Sequence, residues 1–364
     1  MADKDFIIEN GVLTKYNGSS GDITIPESVE IIGHSAFSSR KNIKNVVFPN
    51  GLKTIESSAF QRCEDLVSVT FPNSLESIGE YAFSHCDSLK SVNIPSSVTS
   101  IGMYAFSDCC NLEEINLPDR EIEFGDFVFA HCDRLENVVF PKNISSIGNW
   151  LFYDCKSLKN IVFPENLIST GHSVCLKCSS LESVTLPKRL KTIEHSVFNA
   201  CDSLREITIP DGVASIGKGA FAHSHNLEKI VIPESVKIIE KSAFWGCRSL
   251  QSVEHSNSFI AEESLFMRCE GLQDKNGFVV VRDVLYDYFG SSTEVVIPNN
   301  IIEISTFAFR FSEEMTSVTI PNSVTSIGDE AFTFCKKLTI RTPAGSCAET
   351  YAKAKNIPFI AIDE

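Results

Sequence analysis

Long apolar runs are missing from this chain: no stretch of its 364 residues approaches the roughly 18 consecutive apolar residues that a bilayer span needs. The amino terminus, MADKDFIIENG, lacks the apolar run of about 7–15 residues found in a signal peptide, so the chain as written is expected to carry neither export address nor anchor. Basic residues are scarce. Against 47 Asp and Glu stand 32 Lys and Arg, a formal net charge of −15, which argues against nucleic acid or anionic lipid as the main partner. There is no nucleophile elbow, no Walker loop, no dinucleotide glycine motif and no EF-hand spacing. The expectation is a protein that is not an enzyme and has no cofactor.

What is present is proline at a fixed interval. Pro26, Pro49, Pro72, Pro95, Pro118, Pro141, Pro164, Pro187, Pro210 and Pro233 stand 23 residues apart, and Pro298 and Pro321 open two more units. Counted from its proline, each unit has an apolar third residue (Val29, Leu52, Leu75, Val98) and usually an isoleucine sixth (Ile32, Ile55, Ile78, Ile101). Phenylalanine is eleventh in nine of the ten regular units and leucine seventeenth in nine of ten. The stretch LKSVNIP alternates apolar and polar residues, which is strand period, and puts Val92 and Ile94 inward. Proline ends the strand because it has no N–H for the ladder. A second short extended piece (SVTSIG) follows, and the AF..C..L segment reads as a short helical or 3₁₀ turn. One such coil cannot bury its apolar face alone, so coils stack into a solenoid.

This unit resembles the BspA-type leucine-rich repeat, the 23-residue class also called the Treponema pallidum type, over about residues 6 to 364. The resemblance implies an α/β-type repeat solenoid rich in short β-strands, a right-handed coil stack with a parallel sheet. It also implies a binding role, often in adhesion at bacterial surfaces, with no catalytic residues to carry over.

The ends and the joint are also legible. FIIENGVLTKYNG reads as a hairpin over Asn10-Gly11, an amino-terminal cap within residues 1–25. Ten regular repeats fill 26–255. The cap pattern then returns as FVVVRDVLYDYFG, with Phe278, Val284, Leu285, Tyr288, Gly290 and Pro298 each 272 positions after their counterparts. Because 272 is not a multiple of 23, residues 256–297 form an irregular joint, read as a degenerate repeat plus an inserted hairpin on one continuous core; two solenoids with a hinge is the alternative. Two further repeats fill 298–343, and 344–364 supply a closing helix and strand.

Nine of the thirteen cysteines (Cys63, Cys86, Cys109, Cys132, Cys155, Cys178, Cys201, Cys247 and Cys335) lie fourteen residues after a proline. Stacking puts them in a ladder of buried thiols whose side chains point the same way, the wrong geometry for disulfides. Cys110 falls one place later, in a slot expected to face solvent, between same-slot Asp87 and Asp133 that would raise its pKa. HSVCLKC is the best metal or redox candidate, with His172 ahead of Cys175 and Cys178 and His195 one coil on. Cys178 belongs to the ladder and Cys175 replaces the unit's phenylalanine, so no metal site is expected there. His85, His131 and His223 read as surface turn residues.

A partner is expected on the sheet. Its outward positions include Ser68, Thr70, Ser91, Asn93, Glu114, Asn116, Asn137, Val139, Asn160, Val162, Ser183 and Thr185. Strand propensity alone also selects such residues, and the face has few of the aromatic or arginine anchors that dominate binding energy. The hairpin residues Tyr286, Tyr288 and Phe289 form a second, aromatic candidate. The ligand is expected to be a protein or glycan and the chain a monomer. Two settings follow: a surface or secreted interaction module, from the resemblance, or a cytoplasmic scaffold, from the missing signal and the unpaired cysteines.

Overall fold

The structure is a computed structural model that describes residues 3–19, 21–255 and 259–363; the outermost cap residues, residue 20 and joint residues 256–258 lie outside the described residues. Each 23-residue unit makes one coil. A three-residue strand such as Ser91–Asn93 lies ahead of the proline and a two-residue strand such as Ser100–Ile101 after it. Equivalent strands pair in parallel and in register: Ser91, Val92 and Asn93 face Glu114, Ile115 and Asn116, and Ser77 and Ile78 face Ser100 and Ile101, although the three-residue strands break into several separate sheets along the stack. Because side chains alternate along a strand, the middle residue points inward. Val92 is accordingly buried while Asn93 is exposed.

The core is a set of ladders. Phe37, Phe60, Phe83, Phe106, Phe129 and Phe152 stack with ring centroids 4.6–5.8 Å apart and planes within 11°. Beside them the cysteines do more than pack. Cys63, Cys86, Cys109, Cys132 and Cys155 each direct Sγ at the carbonyl of the phenylalanine 26 residues earlier, at 3.1–3.4 Å. Ser224, in the same slot, donates Oγ to the Phe198 carbonyl at 2.7 Å. The slot therefore selects a small side chain with a donor. Cys269 joins the ladder from the degenerate unit, and all thirteen cysteines are free.

The AF..C..L segment is not helical. It is a run of linked turns closed by bonds such as Ala36 N–H to the Gly33 carbonyl and Ser38 N–H to the Ser35 carbonyl. The ninth and thirteenth residues after each proline are left-handed: Tyr81 (φ 54°) and His85 (57°), Tyr104 (57°) and Asp108 (59°), Phe127 (57°) and His131 (59°). Those residues turn their N–H groups to the next coil, as Tyr81 does to Met103 and His85 to Ser107, so a third hydrogen-bonded ladder runs along this edge. Most glycines seven after proline serve close approach: a Cβ on Gly102 would lie 2.6 Å from the Glu80 nitrogen of the preceding coil, whereas Gly171 at the same place is left-handed (φ 72°).

The apolar core expected to run unbroken is divided into two clusters, one ending with Val279, Val281 and Tyr286, the other starting with Phe278, Leu285 and Tyr288. The hairpin Phe278–Val281 and Val284–Tyr288 has one face in each. At the far end, helix Cys347–Lys355 begins at Ser346, whose side chain accepts from Glu349 N–H, and strand Phe359–Ile362 pairs with Thr339–Pro343. No helix among the described residues is long and apolar enough to cross a membrane.

Candidate binding surfaces

The three-residue strands present the outward residues named from the repeat. Ser68, Thr70, Asn93, Glu114, Asn116, Asn137, Val139, Asn160, Val162, Ser183 and Thr185 are exposed, and Ser91 is half-buried. Many of these side chains are engaged with one another. Asn116 Nδ2 donates to Asn93 Oδ1 at 2.6 Å, Asn160 Nδ2 to Asn137 Oδ1 at 2.8 Å, and Ser68 Oγ to Asn45 Oδ1 at 2.7 Å. The face is mostly polar, with Val139 and Val162 also exposed, and within each run of paired strands its side chains hydrogen-bond one another along the stack.

The turn edge differs. Tyr81, Tyr104, Phe127 and Trp150 occupy the left-handed ninth position of four successive coils, and all four are half-buried. Their rings stack at 4.9, 4.6 and 4.9 Å with planes within 7°. Ring faces cover each other, so along its length the stripe shows solvent mainly ring edge. Tyr153 meets Phe127 and His131 edge-on, with Lys177 over its own ring. Carboxylates flank the stripe at Glu80, Asp108, Asp126 and Asp154; Asp154 pairs with His131 at 3.2 Å, Asp108 with His85 at 3.9 Å, and Asp126 accepts the Asn149 N–H. Later coils repeat the theme, with Arg310 near Phe307, Phe311 and Phe334, the last two exposed. Sequence reasoning passed over this edge, although the signal was the same 23-residue spacing, nine after Pro72, Pro95, Pro118 and Pro141.

The aromatic hairpin patch is not a surface. Tyr286 and Tyr288 are 4% and 5% exposed, and Phe289 packs against the first core cluster. Tyr286 meets Phe266 edge-on at 5.2 Å and Tyr288 meets Phe309 at 5.3 Å. These rings fill the space between two coils because each core needs an apolar lid.

The HSVCLKC set also comes apart. Cys175 and Cys178 are fully buried in the core, whereas His172 is exposed on the coil surface. Stacking brings His172 instead to His195, ring centroids 5.1 Å apart, and to Glu194. Cys110 is half-buried; burial first, then Asp87 and Asp133, pushes its thiol up, with Lys156 opposing. Burial likewise holds the Cys63 thiol up at about 12. These thiols are protonated and poorly nucleophilic at neutral pH.

Comparison with known proteins agrees with this geometry. The chain resembles a leucine-rich repeat protein from Bacteroides ovatus at 23% identity, TM-score 0.67, over 98% of this chain and 97% of that one. It resembles the pneumococcal vaccine antigen PcpA at 18% identity, TM-score 0.59, over 100% and 98%. It also resembles a leucine-rich cell surface protein from Faecalibacterium prausnitzii at 24% identity, TM-score 0.49, over 100% and 98%. No curated protein matches the chain. The family model of the BspA type leucine-rich repeat region, a block of six copies, matches residues 8–133, 76–205, 122–251, 171–277 and 279–354. The coil stack, its ladders and these matches over most of its length make the chain a member of the BspA-type leucine-rich repeat family.

Proposed function

We propose that this is a non-catalytic binding module, acting at a cell surface or in secreted form, that captures a protein partner on the turn edge of its solenoid. The observation that supports it best is the stripe Tyr81–Tyr104–Phe127–Trp150, which holds four large rings half-exposed and in fixed register. Aromatic side chains held rigid lose little entropy on binding and dominate interface energetics. Glu80, Asp108, Asp126 and Asp154 and the net charge of −15 favour a partner that offers basic residues beside an apolar contact. Extracellular placement draws on what the family resemblance implies and on a vaccine antigen among the structural neighbours.

The sheet face is the second docking candidate, favoured by its exposure: eleven of its twelve named residues are exposed. A cytoplasmic scaffold is the second reading of location, favoured by thirteen free cysteines. An array of matrix proteins and glycans probed with the purified chain tests the surfaces. Binding to a protein that is lost in Tyr104→Ala/Trp150→Ala, and kept when Ser91, Asn93, Asn116 and Asn137 are all changed to Glu, is the expected result. The opposite pattern moves the site to the sheet; indifference to both sets sinks both surfaces. Protease treatment of intact source cells, which should cut the chain if it lies outside, decides the location.

A further inference from the structure

The best-assembled group of ligating side chains lies on the two coils that follow the aromatic stripe, on the corner beside the two-residue strands. We propose that His172, Glu194 and His195 form a binding site for a divalent transition-metal ion of the Zn²⁺ class. The three residues come from adjacent coils. His172 and His195 are both eighth after their prolines and so lie one above the other, while Glu194 is seventh, a slot that most units give to glycine. One donor atom from each falls within 4.8 Å of the others. His172 Nδ1 stands 3.7 Å from Glu194 Oε2, and the imidazoles are crossed at 81° with no face-to-face stacking.

Three features of the surroundings fit a cation. Glu194 is held: Ser169 Oγ donates to its Oε1 at 2.6 Å, which leaves Oε2 toward His172. His172 is held as well, by its backbone N–H bonding Asn149 Oδ1 at 2.8 Å. On the other side, Glu240 Oε2 comes within 3.2 Å of His195 Nε2. It reaches there from two coils away across Gly217, where a Cβ would stand 2.9 Å from His195 Cδ2. An imidazole with a carboxylate on one nitrogen is the arrangement by which metal-bound histidines are oriented. The Glu240 carboxylate is itself fixed by accepting the Lys218 N–H at 3.0 Å.

Two imidazoles and a carboxylate select borderline ions over Ca²⁺ or Mg²⁺, which prefer all-oxygen shells. Donors of a tetrahedral Zn²⁺ shell stand about 3.4 Å apart, given ligand bonds near 2.0–2.1 Å. The present spacing therefore closes by small rotations of side chains about half exposed at His172 and His195. Three ligands leave one coordination position facing solvent, open to water or to a donor from another molecule. The cysteines of HSVCLKC take no part.

Calorimetric titration of chelator-stripped, full-length chain with ZnCl₂, together with the visible spectrum after Co²⁺ addition, tests the site. One ion per chain and a Co²⁺ spectrum of low coordination number are expected. His172→Ala and His195→Ala should each weaken that event at least roughly 10-fold, with Glu194→Gln similar. His85→Ala and His131→Ala, at other half-buried imidazole–carboxylate pairs, should leave it unchanged. The melting temperature in chelator should be the same for the His172→Ala and His195→Ala chains as for the wild type, because both histidines are exposed. No binding, or binding that survives both His172→Ala and His195→Ala, overturns the proposal.

Discussion

The chain contains one hairpin twice, and the two copies show what separates an end from a joint. Phe6–Glu9 with Val12–Tyr16 and Phe278–Val281 with Val284–Tyr288 share their register and a bulge at the same place. Their inner faces are alike: Phe6 meets Tyr16 at 5.2 Å and 40°, and Phe278 meets Tyr288 at 5.1 Å and 40°. Each tyrosine then covers the first phenylalanine of its solenoid, Phe37 or Phe309. The outer faces differ. Where the first hairpin shows solvent Ile7, Glu9, Thr14 and Lys15, the second has Val279, Val281, Tyr286 and Asp287, all buried. An end cap has become a two-sided lid by substitution on one face alone.

Asp287 is the telling member. In regular coils the thirteenth residue donates its N–H to a carbonyl of the next coil, as His223 does to Trp245 and Gly246 to Met267. Arg268 has no such carbonyl ahead of it, and Asp287 Oδ2 accepts its N–H at 2.8 Å, while Oδ1 takes the Tyr288 N–H. Restoring the end-cap residues with Tyr286→Thr and Asp287→Lys should therefore undo the joint. A lysine placed there buries an unpaired ammonium beside Arg268, at a cost of about 3–5 kcal/mol. Denaturant unfolding should show the first core cluster losing stability; an unchanged midpoint would refute the lid.

The same carboxylate gives the joint a pH dependence. Burial, which outweighs the bonds from Arg268 and Tyr288, raises the Asp287 pKa to about 6, with the Arg268 charge opposing and Glu270 adding to the rise. The folded state then holds a proton that the unfolded chain has already lost. Stability from this group is greatest below the ordinary carboxylate range, falls as pH rises from about 4 to 6, and is flat above. The decline corresponds to about 3 kcal/mol at most. In Asp287→Asn the difference from wild type across that window should appear as the missing slope, read from unfolding at pH 4, 5, 6 and 7. Equal slopes would show that the carboxylate is not buried as described.

Much of this architecture was legible in the sequence, and the parts that were not share a cause. Proline spacing fixed each coil's length, the phenylalanine and cysteine slots named two inner ladders, and the 272-residue repeat of the hairpin was visible. What escaped was contact between residues some 22–26 positions apart. The repeat places His195 one coil on from His172, but chain order groups His172 with Cys175 and Cys178, whereas stacking adds Glu194 and leaves the cysteines out. Cysteine was read as filler because the Phe carbonyl that it meets belongs to an earlier coil. The left-handed positions are hidden in the sequence because Ser, Tyr, His, Asp, Phe and Trp fill most of them in place of glycine. Tyr286 and Tyr288 looked like a patch because nothing local says that a second core lies on each side.

Features common to both hairpins should respond alike. Gly18 and Gly290 follow the tyrosines by two residues, and a Cβ on either would fall on the phenol oxygen of Tyr16 or Tyr288. Both rings are buried and cannot swing aside. Gly18→Ala and Gly290→Ala should each cost about 1–3 kcal/mol, the range for overpacking. A difference larger than that range, measured by urea unfolding, would mean that the inner faces are not equivalent.

The weakest expected effect is the reverse exchange, and it bears on cause. Thr14→Tyr and Lys15→Asp give the first hairpin the outer face of the second, but no coil precedes it among the described residues, and positions 14 and 15 are exposed. Exposed substitutions of this kind stay within about 0.5 kcal/mol, so the melting temperature should barely move. The same two residues that hold the joint together then contribute almost nothing at the end, because Tyr286 acts through Phe266 and Asp287 through the Arg268 N–H. A large stabilisation at the first hairpin would show instead that these side chains act within their own hairpin, and the lid would owe its strength to local strand pairing.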